Sequence, residues 1–314
     1  MLFRSPEKKA LRIAEARFLR AYFHYDLWKI FRNVPYIDET VEDVRIGNDA
    51  NILPKIQADL EAAKTGLPVS QPEVGRATKG AAQSLLGMTY MWTKEYGKAK
   101  TEFDAVIASD KYKLNANYHD NFDAATRNSQ EGILEVQQSV NDGTTDNGNN
   151  GDVLNFPYNG GPAGCCGFHQ PSQDLVNAFQ VTAGGLPLLD DYSKTNVKSD
   201  DGVPSSDTTY TPHTGPLDPR LDWTVGRRGI PYLDWGKHPG SIWVRDQTYG
   251  GPYAPIKNVH SKAQAEAQTL VTASGWTSGY NANNTKLIRY ADVLLLAAEA
   301  EVEDRKSTRL NSSH

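Results

Sequence analysis

The sequence has few of the features that mark membrane-spanning or nucleic-acid-binding proteins. It contains no run of 18 or more apolar residues, which excludes a predicted transmembrane helix, and no signal peptide is visible after Met1. The 33 Lys and Arg residues are outnumbered by 38 Asp and Glu residues, for a formal net charge of -5. A mildly acidic chain without a basic stretch argues against a nucleic-acid partner.

Cysteine and histidine are equally poor in catalytic or metal-binding patterns. The two cysteines, Cys165 and Cys166, are adjacent, so the spaced ligand pairs of structural zinc sites are missing. They could form a redox pair, but we expect two ordinary small residues in a Gly-rich loop, because no helix or flanking base is there to activate a thiolate. The histidines lack the HExxH and GxSxG contexts of hydrolases. We therefore predict no cofactor and no metal.

Hydrophobic periodicity predicts a helical first part, residues 1–139. Apolar residues recur at a 3.6-residue spacing over 7–32, where Ser5 and Pro6 supply an N-cap and a first-turn proline. The alternation at 133–138 predicts a half-buried strand. Further helices are predicted at about 51–64, 77–94 and 97–109.

The last two of these helices carry the spacing of a tetratricopeptide repeat. Leu86, Gly87, Tyr90, Ala99 and Phe103 stand at the offsets of that repeat. The glycine lets the partner helix approach closely, and the phenylalanine packs back on the first helix. The usual tryptophan and closing proline of the repeat are replaced, so the repeat is degenerate.

From residue 140 to 285 the composition changes to Gly, Asn, Asp, Ser, Thr and Pro, which predicts a loop-rich part. Within it we predict a short helix at 171–180 and a strand at 221–225. An apolar helix is predicted to begin near Lys286 and to return to the helical part over 286–303. Residues 304–314 resemble a translated sequencing adapter, so we expect a non-native tail there.

Four stretches in this order resemble the SusD/RagB family of Bacteroidetes outer-membrane lipoproteins. The first is AEARFLRAYF at 14–23, followed by DL at 26–27 and NVP at 33–35, and the second is the helix pair at 80–107. The third is PSQDLVNAF at 171–179 with DPRL at 218–221, and the fourth is IRYADVLLLAAEA at 288–300. The first and last blocks together are highly specific. The chain departs from the family at both ends, because the lipoprotein signal with its lipid-bearing cysteine is missing and the family extends well past residue 303.

The resemblance implies a mostly α fold, with a tetratricopeptide-like helical superhelix and an irregular loop-rich half that carries a few short strands. It implies no catalysis. The protein would bind an oligosaccharide or starch-like polysaccharide on the extracellular face of the outer membrane, through a lipid anchor that this chain lacks. It would deliver the glycan to a TonB-dependent transporter barrel of the SusC type.

Aromatic residues in polar loops are the candidates for glycan contact, since sugar rings present flat C–H faces that stack on aromatic rings. The candidates are Tyr158, Phe168, Tyr232, Trp235, Trp243, Tyr249, Tyr253 and Trp276. Trp223 is expected in the core, because it alternates with Leu221 and Val225. The charged residues of the family-like blocks are expected to form structural ion pairs: Glu15, Arg17, Arg20, Asp218, Arg220, Arg289, Asp292 and Glu299.

Two other functions stay open. A tetratricopeptide scaffold for a peptide or protein would predict several tandem repeats, and one degenerate repeat is present. A glycoside hydrolase would need two carboxylates that face one bond. The acidic pairs Asp190–Asp191 and Asp200–Asp201 are only neighbours in sequence and do not define such a site.

Overall fold

The computed structural model describes residues 5–144, 147–149, 151–162, 164, 166–272 and 279–311, apart from the side chains of 307–311. The chain forms two compact units. The helical unit comprises Met1–Leu114, Gln130–Val136 and Lys286–His314. The loop-rich unit comprises Asn115–Ser129 and Gln137–Thr285, so residues 115–129 belong with the loops, although the sequence places them in the helical part.

Helices dominate the regular structure, and the strands are short. The helices are α1 (Pro6–Phe31), α2 (Leu53–Gly66), α3 (Lys79–Trp92), α4 (Tyr96–Ala108), α5 (Gln173–Asn177), α6 (Gln247–Gly250), α7 (Lys262–Ala267) and α8 (Tyr290–Asn311). The strands are β1 (Gly132–Val136), β2 (Val225–Gly226), β3 (Ala254–Pro255) and β4 (Thr285–Arg289). The predicted mostly α fold is confirmed.

The N-terminal helix begins where the sequence predicts. The Ser5 side chain accepts a hydrogen bond of 3.2 Å from the Lys8 N–H, and Pro6 occupies the first turn. Its buried face, including Phe18 and Ala21, packs on α2. Within the described residues, no helix combines the length and the apolar character that a membrane crossing requires.

The seam between α3 and α4 has the predicted repeat geometry. Leu86, Ala99 and Phe103 are fully buried. A Cβ atom on Gly87 would lie only 2.5 Å from the Phe103 ring, so glycine is what allows this close approach. The two helices therefore interlock as a tetratricopeptide-like hairpin, and α8 packs against α4.

The segment before α8 corrects the predicted start of the last helix. Lys286 and Arg289 lie on β4, which pairs with β1, and α8 begins only at Tyr290. The Lys286 ammonium lies 2.7 Å from Glu135, and the Arg289 guanidinium lies 3.1 Å from Glu131. Both carboxylates are buried, so each needs this cation. α8 continues to Asn311, past residue 303.

Six of the eight charged residues of the family-like blocks form ion pairs, as predicted: Glu15, Arg20, Asp218, Arg220, Arg289 and Asp292. Arg20 holds Asp59 through two hydrogen bonds of 2.6 Å, which tie α1 to α2. Arg76 holds the buried Glu15 at 2.7 and 2.6 Å. Two-point contacts of this kind fix geometry as well as charge.

The loop-rich unit is organised by two small apolar clusters and by buried amides. One cluster contains Phe156, Tyr232, Ala254, Ile256 and Val259, and the other contains Val176, Val197, Leu221, Val225 and Tyr253. The buried Asn149 side chain bridges Asp152 and the Asn283 carbonyl at 2.8 and 2.9 Å. Such amides satisfy loop backbone that no sheet ladder serves.

Two local predictions in this unit were wrong. Residues 219–223 form a 3₁₀ turn rather than part of a strand, and only Val225–Gly226 pair with Ala254–Pro255. Asp218 caps the turn through the Arg220 N–H at 2.9 Å, and the following proline favours its first position. Cys166 is disulfide-bonded and so is not an ordinary small residue; Cys165 lies outside the described residues.

Candidate functional site

Two of the eight predicted contact residues lie in the core. The Tyr232 hydroxyl donates a hydrogen bond to the Pro255 carbonyl, and the Tyr253 hydroxyl donates to Gln173 Oε1 at 2.9 Å. Both rings are fully buried, and burial raises the pKa of Tyr253 to about 12. Neither ring offers a face to a ligand, because each one is the centre of an apolar cluster under the loops.

Two more of the predicted contact residues, Trp235 and Trp243, pack against the loops around them. The Trp235 Nε1–H donates to the His260 carbonyl at 3.0 Å. Trp243 packs edge-on against Tyr232, with ring centroids 5.5 Å apart. A Cβ atom on Gly160 would lie 2.6 Å from Trp243, so the Gly-rich loop rests directly on this ring. Both tryptophans are half-buried, and their rings are largely used in packing.

Three predicted residues reach the surface of the loop-rich unit. Phe168 is 45% exposed and Tyr249 is 71% exposed. Tyr158 is half-buried, with the Arg245 guanidinium 5.7 Å from its ring centroid. These three residues stay in our proposal as secondary contacts. Trp276 lies outside the described residues.

A cavity of about 450 Å³ lies in the loop-rich unit, and sequence reasoning missed it. Its walls come from two segments about a hundred residues apart, the turn at 116–120 and the 3₁₀ turn at 219–223. The lining residues are Ala116, Asn117, Tyr118, His119, Asp120, Pro219, Arg220 and Trp223. The volume lies within the range of small-molecule sites.

Trp223 is the largest flat surface in this cavity. It is 42% exposed, whereas the sequence predicted a core position. The prediction failed because a strand would turn Trp223 to the same side as Leu221, while the 3₁₀ turn buries Leu221 and leaves Trp223 open. The His119 ring stacks on Trp223 at 4.8 Å between centroids and 25° between planes. One side of the indole is thus supported by the histidine.

Burial lowers the pKa of His119, so its imidazole is neutral at neutral pH. Its Nε2 lies 3.9 Å from an Asp123 carboxylate oxygen. Its buried Nδ1 has no hydrogen-bond partner within the structure as described. A neutral, poorly solvated ring of this kind can act as a stacking support for Trp223.

Polar groups form the rest of the wall. The Asn117 side chain donates to Asp120 Oδ2 at 3.3 Å. Arg220 Nε lies 2.9 and 3.1 Å from the two oxygens of Asp218, whose pKa this ion pair lowers. Tyr118 packs edge-on against Phe122, and the Lys257 ammonium lies 5.3 Å from its ring centroid. Flat rings can stack on the C–H face of a sugar, and the hydrogen-bonding groups beside them can bind its hydroxyls.

The helical unit has a separate groove of about 550 Å³. It is lined by Tyr25, Lys29, Met88, Met91, Trp92, Lys94, Tyr96, Leu296 and Glu299. Trp92 is 49% exposed, and its Nε1–H donates to the Tyr25 hydroxyl at 2.8 Å. Exposed methionines are typical of adaptable protein-binding surfaces. In the ranges that the structure covers, no three His, Cys, Asp or Glu side chains gather as potential metal ligands.

Comparison with known proteins identifies the family. A SusD family profile matches residues 130–312, and a second profile, described as starch-binding associating with outer membrane, matches residues 4–91. A SusD-like protein P2 of Formosa agariphila is 31% identical over 120 residues, which are 35% of this chain and 24% of that protein.

Solved structures show the same fold. A SusD-like carbohydrate-binding protein of Bacteroides fragilis is 25% identical with a TM-score of 0.63, over 96% of this chain and 56% of its own. A laminarin-binding SusD-like protein is 21% identical with a TM-score of 0.59, over 95% of this chain and 61% of its own. The chain thus spans little more than half the length of these structures. Since the SusD family profile covers more than half of the sequence, the chain belongs to the SusD family.

Proposed function

We propose that this protein captures an oligosaccharide in the cavity between residues 116–120 and 219–223 and does not cleave it. The observation that carries the proposal is the exposed Trp223 indole, held in place by the His119 ring inside a cavity of about 450 Å³. A pyranose ring would stack its C–H face on the indole. Asn117, Asp120 and Tyr118 would bind its hydroxyls. Tyr158, Phe168 and Tyr249 would extend the contact along a longer chain.

The carboxylates of the cavity favour binding over hydrolysis. A glycosidase uses two carboxyl groups on either side of one bond. Asp120 is the one acid among the residues that line the cavity. Of the carboxylates nearby, Asp218 is held by Arg220, and Asp123 accepts hydrogen bonds from the Ala125 N–H and from Gln264 Nε2. An arrangement with one available carboxylate supports capture.

We further propose that the whole protein works at the extracellular face of the outer membrane and hands its glycan to a TonB-dependent transporter of the SusC type. The outer-membrane description of the profile at residues 4–91 supports this location. Related proteins named for laminarin binding and for surface glycan binding support the ligand class. Attachment would be through a lipid anchor.

The test is a polysaccharide panel in native affinity gels, with analysis of released sugars in the same samples. The panel contains laminarin, starch, xylan, polygalacturonate and alginate. We expect at least one glycan to retard the folded protein without any released sugar. Released sugar would overturn the non-enzymatic proposal. A folded protein that no glycan retards would favour a protein-binding scaffold, whose surface would be the Met-rich groove of the helical unit.

A further inference from the structure

We infer that the Trp223 cavity selects uncharged oligosaccharides and that Asp120 is the residue that rejects acidic sugars. This inference rests on the proposed function and names the substrate class of the same site. It follows from the charges that the two cavity segments bring together. Those charges do not balance.

The positive charge in the cavity wall is already paired with a carboxylate. Arg220 is the one cation among the lining residues. Its Nε lies 2.9 and 3.1 Å from the Asp218 oxygens, and its Nη2 lies 2.5 Å from one of them. A two-point pair of this geometry offsets the charge of the guanidinium and directs its Nε and Nη2 donors to the aspartate. A ligand carboxylate or sulfate at Arg220 would therefore compete with Asp218 for the guanidinium.

Of the two other basic groups nearby, only Lys257 carries a charge. Burial keeps His119 neutral, as its lowered pKa indicates. The Lys257 ammonium lies 4.4 Å from the Phe122 ring centroid and 5.3 Å from that of Tyr118, and it is not among the lining residues. The two rings hold the ammonium by cation–π attraction, but they are neutral, so its positive charge counts beside that of Arg220.

The carboxylate of Asp120, in contrast, has no cation paired with it among the lining residues. Asp120 lines the cavity and is contacted there by a neutral amide donor, the Asn117 side chain, at 3.3 Å. Asp123 adds a second carboxylate 3.9 Å from His119. Counted together, the charged side chains in and beside the wall are three carboxylates, Asp120, Asp123 and Asp218, and two cations, Arg220 and Lys257, which leaves one net negative charge. A ligand carboxylate or sulfate in this partly enclosed space would meet repulsion that solvent screens only in part.

The hydroxyl groups of a sugar are attracted to Asp120, because its carboxylate accepts hydrogen bonds from them. Hydrogen bonds to a charged acceptor are stronger than those between neutral groups. The same side chain thus favours a neutral sugar and disfavours a uronate or sulfated one. Asp120 determines specificity in this account and has no catalytic role.

The test compares the wild-type protein with Asp120→Asn and with the control Asp190→Asn, which removes the same charge from an exposed position in the same unit. Dissociation constants are measured for laminarihexaose, xylohexaose and maltohexaose as neutral probes, and for hexamers of galacturonate and mannuronate as acidic probes. Measurements are made at 20 mM and 500 mM NaCl. Thermal unfolding of each variant confirms that it is folded.

We expect the wild-type protein to bind at least one neutral probe at least tenfold more tightly than either acidic probe at 20 mM NaCl. Asp120→Asn is expected to narrow this ratio at least fivefold, whereas Asp190→Asn leaves it within twofold. High salt is expected to narrow the ratio for the wild-type protein and to change it little for Asp120→Asn, since salt screens the repulsion. A wild-type protein that prefers an acidic probe would overturn the inference, as would an Asp120→Asn ratio within twofold of wild type. Binding to none of the probes would contradict the proposed function itself, so the two failures are distinguishable.

Discussion

Replacing Trp223 with alanine gives the sharpest test of which residue holds the glycan. The side chain is 42% exposed, and a tryptophan has about 150–250 Å² of surface to bury, so about 60–100 Å² remains open for a ligand. At about 25 cal/mol per Å², full coverage of this surface would contribute about 1.5–2.5 kcal/mol. We therefore expect the Trp223→Ala dissociation constant to rise about 10- to 70-fold.

The assay is isothermal titration calorimetry with an oligosaccharide of the glycan that the panel retains. Trp92→Ala is the matched control, because Trp92 is 49% exposed but lies in the helical unit. We expect this control to bind within twofold of the wild-type protein. Trp223→Phe keeps a flat ring and is expected to keep most of the affinity. A Trp223→Ala protein that is folded and binds within twofold of wild type would refute the reasoning.

Three further predictions concern stability. His238 and His260 are buried, which lowers their pKa values from 6.5 to about 3 and about 4. As the pH falls, the unfolded chain therefore binds protons at these two histidines before the folded chain does, and the folded state loses stability. Urea titrations should show the free energy of unfolding of the loop-rich unit falling by about 4 kcal/mol between pH 7.5 and 5. An unfolding free energy that stays constant over this range would contradict the burial of the two rings. Gly87→Ala forces a methyl group against the buried Phe103 ring and should destabilise the helical unit by about 1–2 kcal/mol, although alanine has the better helix propensity. A rise in melting temperature would mean that α3 and α4 are not in close contact at this position. Arg20→Lys loses one of the two hydrogen bonds to Asp59 of α2 and should lower the free energy of unfolding by about 1–3 kcal/mol, measured by thermal unfolding. An unchanged melting temperature would show that the two-point contact does not contribute to stability.

The helical unit could largely be predicted from the sequence because its signals are local. The cap at Ser5 and the 3.6-residue stripe define α1 within a short window. Gly87 and Phe103 stand 16 positions apart, but both lie on strongly periodic helices, so their contact follows from helix geometry. The start of α8 was missed because Leu287 and Ile288 of β4 extend the apolar run of the helix that follows, and a five-residue strand is hard to tell from one more helical turn.

The candidate site could not be predicted, because burial of a loop aromatic depends on contacts distant in sequence. Tyr232 and Tyr253 have the same polar, Gly/Pro-rich context as the exposed Tyr249, yet the first two are core residues. Trp223 was placed in a strand by its alternation with Leu221. The local signal against that strand was present in Asp218 and the proline after it, which start a 3₁₀ turn. Nothing in the sequence indicates that this turn meets residues 116–120.

Hydrogen–deuterium exchange with and without the retained oligosaccharide tests the central claim most directly, because it locates the ligand without any substitution. The account predicts slower amide exchange in peptides that cover residues 116–121 and 219–224 when the glycan is bound. It predicts unchanged exchange in α3 and α4, which flank the Met-rich groove. Protection confined to that groove, or to loops away from Trp223, would contradict the assignment of the cavity as the glycan site.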